Sequence, residues 1–310
     1  MPELIEVELY RRTATRTIGR TIAAIERLDP FGLRNGSGRT TAAGLEAALV
    51  GATVVAARRI GKLLLLDLAA SDGAAGSAGS ASSATDVLGL RFGMTGRLVV
   101  DGTADIDELL YSSGRDDAAW DRFRVRFDDG GTMAVRDPRR LGGVELDPDV
   151  NVLGPDATAI TLAEVRAALS RSAGSAGSAG SAGSAGSAGS AGSAGSAGSA
   201  GSSGSRAAVK ARIMDQHRIA GIGNLLADEI LWRAGIAPGV ATSSLSGARI
   251  VRLHAAIIST VAELTERGGS HLGDVMEARH PGGLCPRDGA AMRVAQVGGR
   301  TSWWCPKHQR

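Results

Sequence analysis

A Ser-Ala-Gly repeat from Ser172 to Ser205 is the feature that most constrains how this chain can fold. The repeat carries no large apolar side chain, so burial cannot offset the entropy cost of ordering it. We therefore predict a flexible insert at residues 172–205, with folded parts before and after it. A shorter tract of the same kind, Gly73–Ser83, lies between two strand-like runs and is predicted to be an expanded hairpin loop.

The part before the repeat has the periodicity of β-strands. Short runs such as LLLLDL at 63–68 and FRVRF at 123–127 are typical of strands. In the second run Phe123, Val125 and Phe127 alternate with arginines, so these three side chains are predicted to face a core. A helix is predicted to precede this hairpin-rich β domain.

The part after the repeat has the periodicity of helices. Three segments are predicted to be helical: 209–217, 224–234 and about 246–267. The tail differs again, because VGGRTSWW at 297–304 is typical of the turn and second strand of a ribbon. The sequence thus predicts an α+β multidomain protein with domains at 1–150, 151–275 and 276–310, of which the second contains the repeat.

The charge is concentrated in the second half. Residues 1–171 carry a net charge of −3 and residues 206–310 a net charge of +6, and the sequence pI is about 9.2. A basic C-terminal part is compatible with a polyanion such as nucleic acid, although many basic proteins bind none. No apolar run reaches the roughly 20 residues of a membrane span, and the N-terminus lacks the basic-then-apolar order of a signal peptide, so a cytoplasmic location is expected. A monomer is also expected.

Two short knuckles in the tail have metal-ligand spacing. CPRD at 285–288 and CPKH at 305–308 follow the rhythm of a zinc ribbon, with Cys285, Asp288, Cys305 and His308 as the candidate ligands of one structural zinc ion. Asp is a less usual structural ligand. The alternative is a metal-free ribbon held together by tryptophan packing.

Two segments of the β domain could reach into a duplex. DPRRLGG at 137–143 follows the FRVRF hairpin with two arginines, Arg139 and Arg140, and the apolar Leu141. One interpretation is a solvated loop, and the other is a finger that offers arginine to phosphate or to an orphaned base and Leu141 as a wedge. Met94, in FGMTGR, could belong to the same finger.

The segment GIGN at 221–224 joins a tight glycine turn to a helix that begins near Asn224. A group of backbone N–H groups at a helix N-terminus binds anions, so this turn is predicted to bind phosphate, with Lys210 as a second contact. A lone glycine turn before a helix is weak evidence by itself.

The first residues, MPELIEVE, admit two interpretations. Proline and glutamate near a helix start are common for reasons of backbone geometry and helix dipole. Alternatively, Met1 is removed, and Pro2 then presents a secondary amine beside Glu3 and Glu6. Such an amine can attack an electrophilic sugar carbon and form an iminium.

Together these motifs resemble the formamidopyrimidine-DNA glycosylase and endonuclease VIII family. The resemblance rests on PELIEVE, GKLLLLDL, GMTGR, DPRRLGG, GIGNLLADEILWRAGI and the CPxx…GGRTSWWCPxH tail, in that order, and it spans nearly the whole chain outside the two low-complexity tracts. It implies an N-terminal β-sandwich, a helix-two-turn-helix domain and a zinc ribbon. Double-stranded DNA with a damaged base or an abasic site would lie in the cleft between the domains.

The resemblance also implies a chemistry for the first residues. Pro2 would attack C1′ of a flipped nucleotide, the base would leave, and β,δ-elimination through the Schiff base would cut the strand. Glu3 would be the acid and base, Glu6 would support the N-terminus and the flipped nucleotide, and Lys62 would lie near the lesion and its phosphate. An α-amine titrates near neutrality, which suits a nucleophile at cellular pH.

The remaining implied roles concern DNA contacts. The residues that would fill the space left by the flipped nucleotide are Met94, Arg139 and Leu141. The implied phosphate contacts are Lys210, Asn224 and Arg300.

Several positions depart from the family pattern. Ile5 and Leu141 stand where proline and, in the formamidopyrimidine branch, phenylalanine are usual, and Asp288 and His308 replace ligand cysteines. The segment 268–285 is short where that branch carries a longer loop over an oxidised purine. Two alternatives therefore stay open: specificity for oxidised pyrimidines, and a module that binds abasic or distorted DNA without turnover.

Overall fold

The computed structural model describes residues 2–34, 40–70, 86–104, 106, 109, 115–170 and 206–310. The predictions for the Ser-Ala-Gly repeat and for the tract at 73–83 fall outside these residues. Among the described helices, none combines the length and apolarity that crossing a bilayer requires.

The chain begins with helix α1, Leu4–Ala14, directly after Pro2 as predicted. The Glu3 backbone N–H donates to Glu6 Oε2 at 2.8 Å, which satisfies a donor at the helix start. The helix contributes side chains to two hydrophobic cores. Val7 and Tyr10 pack into the core of the N-terminal part, and Leu4 and Ile5 pack into the core of the helical part. Its position therefore fixes the first residues relative to both parts of the protein.

Two antiparallel four-stranded sheets form the N-terminal sandwich. One sheet has the order β1-β6-β7-β5 and the other β2-β3-β4-β8. The strands are β1 (Ile22–Leu28), β2 (Thr53–Ile60), β3 (Leu63–Ala69), β4 (Asp86–Arg91), β5 (Arg97–Val100), β6 (Asp121–Phe127), β7 (Thr132–Arg136) and β8 (Gly143–Leu146). Helix α2, Ala42–Leu49, packs its Leu45 and Leu49 into the same core.

The alternation in β6 is confirmed. Phe123, Val125 and Phe127 are fully buried in the core between the sheets, and the arginines between them lie on the other face. Burial of three large side chains on one face fixes the register of the hairpin, since a slip of one residue would expose all of them.

The helical part consists of α3 (Leu162–Ser170), α4 (Val209–Ile213), α5 (Asn224–Ala234) and α6 (Gly247–Arg267). The last two match the predicted helices, and each is followed by a left-handed glycine. Helix α4 is shorter than the predicted 209–217. The Asp215 carboxylate accepts the His217 N–H at 3.1 Å, a local turn that competes with continuation of the helix.

The C-terminal ribbon pairs β9 (Arg293–Val297) with β10 (Arg300–Trp304) around the turn Gly298–Gly299. Its small core contains Cys285, Cys305 and Met292, and α5 contributes Trp232 to it. The α+β fold class, with a sandwich, a helical part and a ribbon, is thus confirmed, while the exact domain boundaries at 150 and 275 stay predictions.

Candidate active site

Pro2 lies in a cavity of about 320 Å³ between the sandwich and the helical part. The cavity is lined by polar and apolar groups from seven separate segments of the chain. They include Arg34, Lys62, Arg91, Leu141 and Gln216. The structure therefore brings together Pro2, the lysine of the β2–β3 turn and the tip of the 137–143 loop, which are far apart in sequence.

Glu3 is fully buried, and its carboxylate accepts hydrogen bonds from the start of α5. Oε1 accepts the Leu225 N–H at 2.8 Å, and Oε2 accepts the N–H groups of Gly223 and Leu226 at 2.9 and 3.1 Å. A negative charge at this end of a helix is stabilised by the free N–H groups and the helix dipole. The residue beside Pro2 thus joins the N-terminus to the helical part.

The glycines of GIGN make room for this contact. A Cβ at Gly223 would lie 2.2 Å from the Glu3 carboxyl carbon, and one at Gly221, whose φ is +108°, would lie 2.4 Å from Leu4 Cδ1. The prediction that these N–H groups bind phosphate is therefore wrong. The physical reasoning about an anion site holds, but the anion is the carboxylate of Glu3.

Burial shifts the proton affinity of two groups here. Desolvation raises the pKa of Glu3 above its usual range, despite the opposing charge of Lys62 and the backbone hydrogen bonds. Desolvation likewise lowers the pKa of Lys62, against the attraction of Glu3 and Glu6. Each shift makes the neutral form of the group more accessible at cellular pH than it is for an exposed glutamate or lysine. A group that can exist in both forms near cellular pH can take part in proton transfer.

Glu6 connects the N-terminus to the segment after α6. Its Oε1 accepts both the N–H and the hydroxyl of Ser270 at 2.7 Å, while Oε2 holds the Glu3 N–H. The implied supporting role of Glu6 agrees with this geometry. Ser270 was not identified from the sequence, since a partner 264 residues away leaves no local signal.

Lys62 is positioned by a backbone carbonyl of the helical part. Its Nζ donates to the Ile222 carbonyl at 3.0 Å, and the same oxygen accepts from Gln216 Nε2 at 2.9 Å. Gln216 Oε1 in turn accepts the Gly221 N–H at 2.9 Å. Gln216 is a second residue that the sequence analysis missed, and it orders the turn against which Lys62 rests.

The loop 137–143 is organised by Asp137. This buried carboxylate accepts the N–H groups of Arg139, Leu141 and Gly142 at 3.1, 2.8 and 2.8 Å, and the Thr95 hydroxyl at 2.7 Å. The arrangement holds Leu141 with 41% of its surface exposed, at the rim of the Pro2 cavity. An exposed leucine on a fixed loop has the form expected of a wedge.

The other predicted finger residues lie on or beside this loop. Arg139 and Arg140 are exposed, and Arg140 Nε also pairs with Asp29 Oδ2 at 2.9 Å. Met94 is half-buried in the turn 93–95, whose Thr95 is tied to Asp137. The turn and the loop are closely packed, since a Cβ at Gly93 would lie 2.5 Å from the Leu141 carbonyl carbon.

Asn224 and Arg300 line a second cavity, of about 490 Å³, at the start of α5 beside the ribbon. Arg279 and Trp303 also line it, and Asn224 Oδ1 is buried without a hydrogen-bond partner. Arg279 already pairs with Asp228, but the exposed Arg300 guanidinium and the Asn224 amide at an open cavity can bind a phosphate. The structure therefore places Asn224 and Arg300 together, as the predicted contacts require.

Lys210 is the exception among the predicted phosphate contacts. It is 0% exposed, and its Nζ donates to Asp228 Oδ1 at 2.6 Å, to Ser302 Oγ at 2.8 Å and to the Thr301 carbonyl at 3.2 Å. An ammonium group enclosed by three acceptors has no open path to a phosphate. The structure contradicts the prediction and gives Lys210 a structural role between α5 and β10.

The four candidate metal ligands lie together. One donor atom from each of Cys285, Asp288, Cys305 and His308 falls within 4.8 Å of the others. Tetrahedral zinc with these ligands would separate its donor atoms by about 3.3 to 3.8 Å. The Cys285 Sγ to His308 Nδ1 distance is 3.8 Å, and Cys305 Sγ lies 3.4 Å from Asp288, whereas His308 Nδ1 and Asp288 Oδ2 are closer at 2.8 Å. The cluster can hold a metal ion.

Comparison with known proteins agrees with this architecture. Residues 1–144 match the family model of the formamidopyrimidine-DNA glycosylase N-terminal domain, and residues 196–275 match that of the formamidopyrimidine-DNA glycosylase H2TH domain. The chain is 30% identical to a formamidopyrimidine-DNA glycosylase of Halorhodospira halophila and 29% identical to one of Acidovorax ebreus. Both alignments cover the whole of each chain.

Solved structures show the same fold. A complex of Lactococcus lactis Fpg with DNA containing an abasic site superposes with a TM-score of 0.69 at 23% identity. A complex of the same protein with THF-DNA and an inhibitor superposes with a TM-score of 0.70 at 24% identity. Both cover each chain in full. The chain thus has a known fold, in which the sandwich, the buried Glu3 contact and the Cys/His cluster lie. It belongs to the formamidopyrimidine-DNA glycosylase family, a family of base-excision-repair DNA glycosylases.

Proposed function

We propose that this protein is a bifunctional glycosylase and abasic-site lyase that acts on double-stranded DNA containing a damaged base or an abasic site. The observation that carries the proposal is the position of Pro2, in one cavity with Lys62 and Leu141. The Lactococcus lactis relative, which was crystallised on abasic-site DNA, supports the choice of substrate.

The chemistry begins at the Pro2 amine, which is free once Met1 is removed. Its nitrogen bonds to C1′ as the bond from C1′ to the base breaks, and the nitrogen then loses its proton. The C1′–O4′ bond breaks next with protonation of O4′, which opens the sugar ring and leaves an iminium at C1′. Loss of a C2′ proton expels the 3′ phosphate, and loss of a C4′ proton then expels the 5′ phosphate. An ordinary α-amine has a pKa of about 8, so an appreciable fraction of such an amine is neutral at cellular pH.

Glu3, Glu6 and Lys62 support these steps. The raised pKa of Glu3 makes its carboxylate a better proton acceptor than an ordinary glutamate, which suits an acid and base for ring opening and elimination. Glu6 holds the Glu3 N–H and so sets the direction of the first residues. Lys62 lies beside the lesion and its phosphate, while Asn224 and Arg300 bind a further phosphate.

Borohydride trapping tests this mechanism. The protein is incubated with a duplex containing one abasic site, the iminium is reduced, and the adduct is located by peptide mass spectrometry. We expect the adduct on Pro2, with Met1 absent from the intact mass. An adduct on Lys62 would reassign the nucleophile. No adduct on a protein that lacks Met1 but binds the duplex would favour a binding module without turnover.

Specificity for oxidised pyrimidines is the second candidate. The segment after α6 is fixed closely to the body, since Ser270 bonds Glu6 and the Val275 N–H donates to Glu229 Oε2 at 3.0 Å. A short, fixed segment encloses less of a flipped base than a long loop does, which favours the smaller ring. Single-turnover excision of 5-hydroxyuracil faster than that of 8-oxoguanine would support this candidate, and the reverse order would reject it.

The Cys/His cluster is proposed to hold one structural zinc ion through Cys285, Asp288, Cys305 and His308. Two thiolates and a carboxylate more than balance the charge of the ion, and with the imidazole they complete a tetrahedron, which stabilises the ribbon that carries Arg300. Elemental analysis should give about one zinc per chain. Less than a tenth of that in protein prepared without chelator would favour the metal-free ribbon.

A further inference from the structure

Phe31 is the most exposed large apolar side chain among the described residues, with 83% of its surface accessible. It lies in the one-turn segment Pro30–Gly32, between β1 and α2. Isolated exposed apolar residues are common, so exposure alone assigns nothing. The surroundings of this ring are what distinguish it.

The ring is held in place by polar contacts around Asp29. Asp29 Oδ1 accepts the Phe31 N–H at 3.1 Å, and Asp29 Oδ2 pairs with Arg140 Nε at 2.9 Å. The Arg140 guanidinium carbon lies 5.7 Å from the centre of the Phe31 ring, within the range of a cation–π contact. The ring is therefore presented to solvent by a fixed turn.

The Phe31 turn is attached to the loop that carries Leu141. The Arg34 N–H donates to the Val144 carbonyl at 2.9 Å, and the Arg34 guanidinium donates to the Leu141 carbonyl at 3.3 Å. Arg140, the neighbour of Leu141 in the chain, reaches back to the Phe31 ring. The two exposed apolar side chains thus belong to one connected surface.

The polar groups of this surface are mainly cationic. Arg34, Arg139 and Arg140 lie on it, and the acid that faces them, Asp29, is largely buried and already paired. An exposed aromatic ring among arginines is the usual arrangement for stacking on a nucleobase, because the cations attract the backbone while the ring covers the base.

We propose that Phe31 stacks on the unpaired base opposite the flipped nucleotide and thereby contributes to recognition of the opposite base. The inference rests on the proposed function. Flipping leaves the opposite base without its pairing partner, and an apolar wedge partly unstacks the adjacent base step, so the opposite base is the one near the wedge with a face available for stacking. Leu141 would occupy the vacated space, and the Phe31 ring would cover the base across it.

The fluorescent base 2-aminopurine provides the test, because its emission falls when it stacks on an aromatic ring. The probe is a duplex with 2-aminopurine opposite a tetrahydrofuran abasic analogue. We expect the emission of the Phe31→Ala complex to be at least about twice that of the complex with the unaltered protein. We also expect its dissociation constant to be at least about fivefold higher, which is the lower end of the effect of one base–aromatic stack.

Matched variants distinguish stacking from other effects. Phe31→Trp should keep the quenching, and Phe31→Leu, which retains apolar area without a π-face, should lose it. Val251→Ala removes an exposed apolar side chain from α6 and should leave both emission and affinity unchanged.

Two results would overturn the proposal. Equal emission and affinity for Phe31→Ala and the unaltered protein would show that the ring does not touch the base. Loss of a dimer in Phe31→Ala, without any change in emission, would make the ring a protein contact. Failure of the unaltered protein to bind the duplex would instead reject the proposed function itself.

Discussion

Replacing Lys210 with methionine separates a structural role for this side chain from a role in DNA binding. Methionine has a similar length and fills the same space, but it cannot pair with Asp228. Removing one partner of a buried ion pair costs about 3 to 5 kcal/mol. Asp228 keeps two bonds from Arg279 and one from the Trp303 N–H, so its charge stays partly compensated. We therefore expect a loss of about 3 kcal/mol in the free energy of unfolding.

Two measurements on the same protein test this reasoning. At an m-value of about 3 kcal/mol/M, the midpoint of urea unfolding should fall by about 1 M. In DNA binding, each phosphate contact contributes about 0.9 to the slope of log K against log salt concentration. Because Lys210 is buried, the slope for an abasic duplex should be the same with and without the substitution.

Arg300→Met is the matched control. Arg300 is exposed and lines the cavity beside Asn224, so its loss should lower the salt slope by about 0.9 while changing stability by less than about 0.5 kcal/mol. The opposite pattern for Lys210→Met, an unchanged midpoint with a slope lowered by about 0.9, would show that the ammonium reaches a phosphate and would refute the argument from burial.

Three further changes test the Asp137 hydrogen bonds, the proposed zinc site and the Asp156–Arg59 ion pair. Asp137→Ala removes the acceptor of four hydrogen bonds, and we expect urea unfolding to show a loss of about 2 to 4 kcal/mol; an unchanged midpoint would exclude Asp137 as the organiser of the Leu141 loop. A chelator, which would remove the proposed zinc ion, should lower the melting temperature of the unaltered protein but have little effect on Cys305→Ser, and equal shifts in both would contradict the proposed site. Asp156→Asn breaks the pair with Arg59. Desolvation raises the pKa of Asp156, but Arg59 and the hydrogen bonds from Thr158 and Gly61 together outweigh it and lower that pKa. The stability difference should be present above the unfolded pKa of about 3.9 and diminish as pH falls through the lower folded value, whereas a difference that does not depend on pH would refute the assignment.

Features that depend on local patterns could be predicted from the sequence. The alternation in β6, the ends of α5 and α6 at glycine and the spacing of the four ligands all follow from periods and turn chemistry. These signals are carried by neighbouring residues, so the chain order alone contains them.

Features that depend on the partner of a group could not be predicted in the same way. The start of α5 was correctly interpreted as an anion site, but the sequence does not reveal that Glu3, more than 200 residues earlier, is the anion. Lys210 has the positive charge that a phosphate contact needs. Its burial, however, depends on Asp228 and on Ser302, which is 92 residues away. Ser270 and Gln216 lie in polar turns that look like ordinary connections.

The contact of the Glu3 carboxylate with the start of α5 makes the position of Pro2 depend on the association of the sandwich with the helical part. Cutting the protein between residues 170 and 206 would leave one piece with Pro2 and Glu3 but without α5, and another with uncapped N–H groups at Gly223, Leu225 and Leu226. The first piece would lack the N–H groups that hold Glu3 beside Pro2, so any reaction of DNA that depends on the position of Pro2 would return only when both pieces associate. The proposed activity would therefore report, in a protein divided there, that its two halves have associated.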